Sequence, residues 1–523
     1  MSLNNLPAEL TTRIVAYLTQ LEATIKGPFE PPKTIISQYA STSINIRHAV
    51  ETQTFSKLKI TSNDLPEFES LVTRSEFRQA LLRDLDFEPI LPDLRVNALA
   101  STRAERRAAR VRDKEAFSAV LVRLFAALAP RDKIEGAAPL CLLLRAARSP
   151  TNLVKVCRVF GLEDDAFHYH YDLEFPPSLP TLNNIAQLNA YHGQRPRLIA
   201  PGSYFSLLEN LPRVKCVRLS LVDYEKRFPR LRKRLRIDLG KALSSSRCSM
   251  LTELSLDFDF YTPYDQRFTG PDMRVSLEGK KHDAFSLGLQ RFISSCPTLA
   301  DVRLGNPLCV DETLFWSPTS GTEDGRWPSL KHFRVDISCV RPDGGWYLDE
   351  SRDFPREEPH RQHYPDSDSD HDSVYSLPLL SDDTNGPIPS EDVDAPSEDS
   401  SSRDPHRNAL RIGDAYFLNF RAEPTEALER IWLAIARAVA AMPELCSMTV
   451  EMKVPRFSRT NDEETIFGFS YNTTGWPRYP QSIPVRVPQI YWEAPSGWTM
   501  NKDLGALWRK VIGPTGEAKY DHW

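Results

Sequence analysis

The chain has 523 residues, of which 41% are hydrophobic and 10% aromatic, which suits a large packed core and excludes a wholly disordered chain. Its formal net charge of −5 conceals an uneven spread: Asp349–Pro405 alone carries about −13, leaving about +8 on the rest. That balance argues against a nucleic-acid binder, and no stretch reaches the roughly 20 apolar residues that span a bilayer.

Eight cysteines are scattered without a CxxC pair, the usage of a reducing compartment. The opening MSLNNLPAELTTRIVAYL lacks the basic start and apolar centre of a secretory signal. Both features place the chain in the cytoplasm or nucleus.

In chain order, residues 1–55 form a first unit of short helices. Leu6, Leu10, Ile14, Tyr17 and Leu18 recur at helical spacing behind Pro7, a residue suited to a first helical turn. Gly27-Pro28 and Pro31-Pro32 mark a loop, and a second helix is predicted over about Thr34–Glu51, with Ile46 and Val50 on its apolar face.

Residues 56–348 repeat one short pattern, apolar-x-x-apolar-x-apolar. It opens at Phe55, Leu82, Val214, Leu251, Leu299 and Leu330, and again at Leu445 further on. The last positions alternate as a strand does, and helical stretches such as Tyr204–Leu211, Phe285–Ser294 and Ala427–Met442 lie between copies. In four copies a proline (Pro212, Pro297, Pro328 or Pro443) stands two residues before the apolar anchor, where it stops a helix and sets up a turn. One strand per unit with a returning helix is the skeleton of a leucine-rich repeat, so the predicted fold class is α/β, an irregular leucine-rich-repeat-like solenoid behind a short helical unit.

Two segments interrupt this pattern. Arg95–Lys114 is rich in Arg and Ala and reads as a solvated helix or loop, or as a basic patch for an acidic partner. Residues 349–408 are rich in Asp, Ser and Pro and poor in large apolar side chains, so a disordered insertion is expected. Ser367, Ser369, Ser390 and Ser397 precede acids there, as sites for an acid-directed kinase do; a solubilising tether is the other reading.

Residues 409–523 carry the last repeat and an aromatic end. Phe467, Phe469 and Tyr471 alternate like a strand, and Val485, Val487 and Ile490 suggest another. Tryptophans 476, 492, 498, 508 and 523 crowd this end, either as the cap that closes a solenoid or as a ligand-binding surface.

Leu6-Pro7-Ala8-Glu9-Leu10, then Ile14-x-x-Tyr17-Leu18, then Tyr39-Ala40-Ser41-Thr42-Ser43 and Val50-Glu51-x-x-Thr54-Phe55 together resemble the F-box of a large set of fungal proteins. Ile46 stands where that family usually has Trp, and Thr19–Lys33 replaces its short Asp-containing turn. The resemblance implies an irregular leucine-rich-repeat domain behind the F-box and a Trp-containing tail like Trp498–Trp508. It also implies that Leu6, Pro7, Glu9, Leu10, Ile14 and Leu18 dock on a Skp-type adaptor, which bridges to a cullin scaffold.

No GxSxG, P-loop, GxGxxG or HExxH motif is present, and no cofactor or metal is expected. His168-Tyr169-His170 lacks framing ligands. Three functions follow in order. The first is a non-catalytic substrate-recognition adaptor of a cullin-based ubiquitin ligase, holding an unknown protein substrate on its repeats, with neither nucleic acid nor membrane as partner. The second is a repeat scaffold whose N-terminal helices only cap the solenoid, with their apolar residues buried against Phe55–Ile60. The third is a hydrolase with an unrecognised pocket of convergent titratable groups.

Overall fold

Except at Phe55, whose helix runs straight into its strand, the recurring pattern is realised as a turn followed by a strand. In six copies the N–H of the anchor donates to the carbonyl three residues earlier: Leu82 to Gln79, Val214 to Leu211, Leu251 to Cys248, Leu299 to Cys296, Leu330 to Trp327 and Leu445 to Met442, at 3.1–3.4 Å. The residue after the anchor then accepts two N–H groups from the next copy, as the Lys215 carbonyl does from Thr252 and Glu253. Identical turns with identical ladder bonds make each strand add to the one before.

The computed structural model describes residues 7–25, 40–41, 43–72, 75–91, 103–148, 169–191 (without 172 and 174), 197–223, 229–259, 269–316 (without 278), 327–350, 421–454, 465–475, 485–494 and 498–522. Within them the fold is mixed α/β, with one twelve-stranded, mostly parallel sheet. Its strands are β1 (Lys57–Thr61), β2 (Asp84–Glu88), β3 (Leu140–Arg145), β4 (Ile185–Tyr191), β5 (Cys216–Val222) and β6 (Glu253–Asp259). They continue as β7 (Asp301–Leu308), β8 (His332–Ile337), β9 (Ser447–Val454), β10 (Thr465–Asn472), β11 (Gln489–Ala494) and β12 (Glu517–His522).

Each strand of this sheet lies beside the next strand of the same sheet in chain order. β1 to β9 run parallel, β10 turns antiparallel to both β9 and β11, and β12 pairs parallel with β11. Parallel neighbours need a crossover. Helices supply several: α5 (Arg103–Leu128) before β3, α6 (Pro201–Leu208) before β5, α7 (Pro229–Ser245) before β6, α8 (Ala284–Ser295) before β7 and α9 (Glu426–Ala440) before β9; α10 (Lys502–Ile512) precedes β12.

The register stacks Val217, Leu254, Val302, Phe333 and Met448 in one buried row, with Leu219, Leu256, Leu304, Val335 and Val450 in the next. One hydrophobic core runs on from Ile60 to Ile512. α7 and α8 approach closely because both carry glycine at the contact. A Cβ on Gly288 would stand 2.3 Å from the Gly240 carbonyl oxygen, and one on Gly240 would stand 2.2 Å from that of Ala284.

The aromatic end is packed. Trp432, Trp492 and Trp508 have no exposed surface, and Trp492 meets Trp432 edge to face at 5.1 Å. Trp476 and Trp523 lie outside the described residues. β11 begins at Gln489, later than Val485 and Val487 suggest, because Pro488 has no N–H for a ladder bond.

Two further differences from the sequence reading stand out, and the Arg- and Ala-rich stretch, expected as a solvated helix or loop, is helical where described. The second N-terminal helix, predicted over 34–51, is described over Ile44–Ser56, started by Ser43, whose hydroxyl accepts the Ile46 N–H at 3.1 Å. Arg95–Lys114 contributes to α5, whose later turns bury Phe117, Leu121, Leu124 and Phe125. Asp349 and Glu350, acidic enough to be grouped with the insertion, instead belong to strand Leu348–Glu350, which pairs antiparallel with Arg421–Pro424. Ser367, Ser369, Ser390 and Ser397 lie outside the described residues.

Candidate partner-binding site on the first helix

Two helices precede the sheet: α1 (Ala8–Ile25) and α2 (Ile44–Ser56), with α3 (Leu65–Val72) and α4 (Glu76–Leu81) following β1. α1 starts at Pro7, whose carbonyl accepts both the N–H and the hydroxyl of Thr11 at 3.1 Å. One stripe of α1 faces α2. Thr11 and Val15 are buried, and Val15 packs with Ala49 and Val50, with Ala40 and Ile46 at the rim. Ile46 thus sits at this small core, half-buried.

The neighbouring stripe of α1 faces solvent. Leu10 is 46% exposed, Ile14 47% and Tyr17 64%. They recur at i, i+4 and i+7, so they line one side of the helix over two turns. Pro7 and Glu9 are exposed at its start, and Leu18 is half-buried. Leu6 lies outside the described residues.

The pair is fixed to the body. α2 runs without a break into β1. The Arg78 guanidinium on α4 meets the Glu51 carboxylate at 2.8 Å, lies 4.8 Å over the Phe55 ring and donates to the Leu71 carbonyl at 3.2 Å. His48 and Phe77 rings stand 4.9 Å apart. A presented stripe on a held helix loses little freedom when a partner covers it.

A cluster of perturbed titratable groups lies elsewhere, where α7 and α8 meet the ends of β5 and β7. Arg236 donates to Asp223 at 2.7 Å, to Asp283 at 2.8 Å and to the Cys309 carbonyl at 2.6 Å, and Arg232 meets Asp223 at 2.8 Å. These charges are consumed by one another: the two guanidinium groups hold the Asp223 carboxyl below its usual range against the opposing effect of burial. Burial pushes the Cys309 thiol up to about 11. Beside them, burial and the Asp283 charge raise the Asp311 carboxyl to about 7. Asp311 is tied down locally, accepting from the Asp283 and Thr313 N–H groups and from the Thr313 hydroxyl. The network joins crossovers to strands. The sequence reading missed it because its members are far apart in the chain.

Among the described residues, no group of three or more His, Cys, Asp or Glu is placed to hold a metal ion, and no helix is long and apolar enough to cross a membrane. No protein-family model matches the chain, and neither a curated protein nor a solved structure is significantly similar to it.

Proposed function

We propose that this protein is a substrate-recognition adaptor of a cullin-based, SCF-type ubiquitin ligase, acting in the cytoplasm or nucleus. In this reading α1 and α2 are an F-box that docks on a Skp-type adaptor, and the sequential sheet with its crossovers is an irregular leucine-rich-repeat solenoid that holds a protein substrate. The chain contributes no side-chain chemistry; it raises the effective concentration of substrate beside a ubiquitin-charged enzyme.

The observation that carries this reading is the division of α1. Its Thr11 and Val15 stripe closes a small core, while Leu10, Ile14 and Tyr17 stay outside. Burying each Leu- or Ile-sized side chain in a partner's groove yields about 1.5–3 kcal/mol before the costs of association. A scaffold whose first helix merely capped the solenoid would put those side chains inward, against Phe55–Ile60.

The test is a pull-down of the intact protein with a Skp-type adaptor, beside a Leu10→Ala/Ile14→Ala/Tyr17→Ala variant checked for native melting. Capture of the intact protein and loss with the variant is the expected result. Absence of capture with the intact protein overturns the ligase reading.

A further inference from the structure

The face of the sheet turned away from the hydrophobic core carries three rows of side chains, one residue per strand in each row. The row at the carboxyl ends of the strands is acidic over β6 to β12. It runs through Asp257, Asp336, Glu451, Glu493 and Asp521, with Gly305 and Gly468 on the strands between. The amino-terminal strands of the same face are balanced: Lys57 meets Asp84 at 3.5 Å and Arg145 meets Asp86 at 2.6 Å.

Among the described residues, few cations meet the first members of this row. Arg334, one row back, bridges Glu451 at 3.0 Å and Asp336 at 3.5 Å, so one cation serves two carboxylates. Asp257, an exposed residue, makes no hydrogen bond or ion pair among the described residues. Its Oδ1 would lie 2.5 Å from a Cβ on Gly305, so the carboxylate leans over the bare backbone of β7 towards Asp336. Partial desolvation of the carboxyl and then the Asp336 charge raise its pKa. Oδ1 of Asp336 is shielded from solvent and has only the ion-pair contact to Arg334, with no hydrogen bond.

A second acidic element is rooted at the same end of the sheet. The Tyr347 N–H donates to the Cys339 carbonyl, two residues past β8, and strand Leu348–Glu350 then pairs with Arg421–Pro424. Asp349 and Glu350, the described start of the acidic stretch, therefore lie beyond the carboxyl end of β8. A row of carboxylates raises the local concentration of a cationic partner and repels an anionic one.

We propose that this open face docks a lysine- or arginine-rich segment of a partner protein, laid across β6 to β12 with its cations on the Asp257–Asp521 row. Adjacent strands lie about 4.8 Å apart, so the row spans about 29 Å and matches about nine residues of extended chain. The proposal rests on the reading that the repeats hold a substrate, and it names the chemistry of that substrate.

The test uses the full chain and two labelled probes, an extended peptide with lysine at alternate positions and the same peptide with glutamate in their place. The protein variant is Asp257→Asn/Asp336→Asn/Glu451→Gln, near-isosteric changes whose melting is compared with the parent. The lysine peptide is expected to bind, to weaken as salt rises, and to lose about tenfold or more in affinity with the variant. The glutamate peptide is expected not to bind.

Equal binding of both peptides, or no loss with the variant, overturns the proposal; the latter result would also arise if the 351–420 segment alone captured the lysine peptide. A concentration-dependent dimer that the same substitutions dissolve overturns it too, by assigning the face to a second copy. The variant is expected to retain capture by the Skp-type adaptor. Loss of adaptor capture by the parent would sink the ligase reading while leaving the peptide result readable.

Discussion

The N-terminal helix pair and the sheet body use apolar side chains in opposite ways. In the body, strand residues such as Leu254, Val302 and Val450 and helix residues such as Ile431 and Trp432 have no exposed surface, and the core is continuous over the sheet. The helix pair closes on Val15, Ala49 and Val50, and leaves Leu10, Ile14 and Tyr17 outside on the same helix. Body apolar groups are held by repetition, since each strand supplies the next with a buried neighbour. The helix pair has too few layers to bury all of its apolar residues, and an unburied stripe on a held helix is what a partner can use.

The largest effect on stability is expected at the aromatic end. Trp432 packs with Phe467 at 5.8 Å and with Trp492, so Trp432→Ala is expected to cost about 3–5 kcal/mol in chemical denaturation. A loss below about 1 kcal/mol would mean that this end is not part of the cooperative core. Gly288→Ala is expected to cost about 1–3 kcal/mol, because the added methyl meets the backbone of Gly240 and not a flexible side chain. The melting temperature reads that change, and an unchanged value would show that α7 and α8 can part freely.

The charged seam of the body supplies a smaller, pH-dependent effect. Asp311 faces Asp283 and Glu312, with Arg274 and Tyr347 close enough to sense its charge. Its folded pKa is about 7 against an ordinary value of 3.8, so the folded state binds the proton more tightly. The stabilising contribution is complete below the ordinary value and is lost as pH rises through about 7. Urea melts at pH 5 and pH 8 should differ less in Asp311→Asn than in the parent. An identical pH dependence in both would remove Asp311 from the account.

The smallest expected effect on stability is at α1. Leu10→Ala/Ile14→Ala should change the unfolding free energy by no more than about 0.5 kcal/mol, since both side chains are nearly half exposed. A cost comparable to that of Trp432→Ala would place them in the core and sharpen the scaffold reading.

All seven pattern copies in the sequence coincide with strands, because the pattern encodes a turn and an alternating run within six residues. β3 and β4 escaped it for identifiable reasons. β3 carries Cys141 and Leu143 where other strands show polar side chains, which blurs the alternation. β4 has an extra residue, since Leu140 pairs with Ile185 but Cys141 with Gln187, and a bulge shifts the period by one. α7 was hidden by its run of arginines and lysines, although Leu231, Leu235, Leu239 and Leu243 keep strict four-residue spacing. The stripe of α1 was legible as an apolar pattern, but which of its residues faced outward was not.

The sequence by itself determined the local units: where turns start, which residues alternate into a core, where helices return, and that a strongly acidic segment interrupts the repeats. These depend on interactions within a few residues, which spacing records. Only the tertiary structure decided the partners across strands. Arg236 draws together Asp223 and Asp283, α1 turns Val15 inward and Ile14 outward, and Asp257, Asp336 and Glu451 fall into one row over nearly two hundred residues of chain. Such juxtapositions depend on register and packing between distant segments, and no spacing along the chain carries that information.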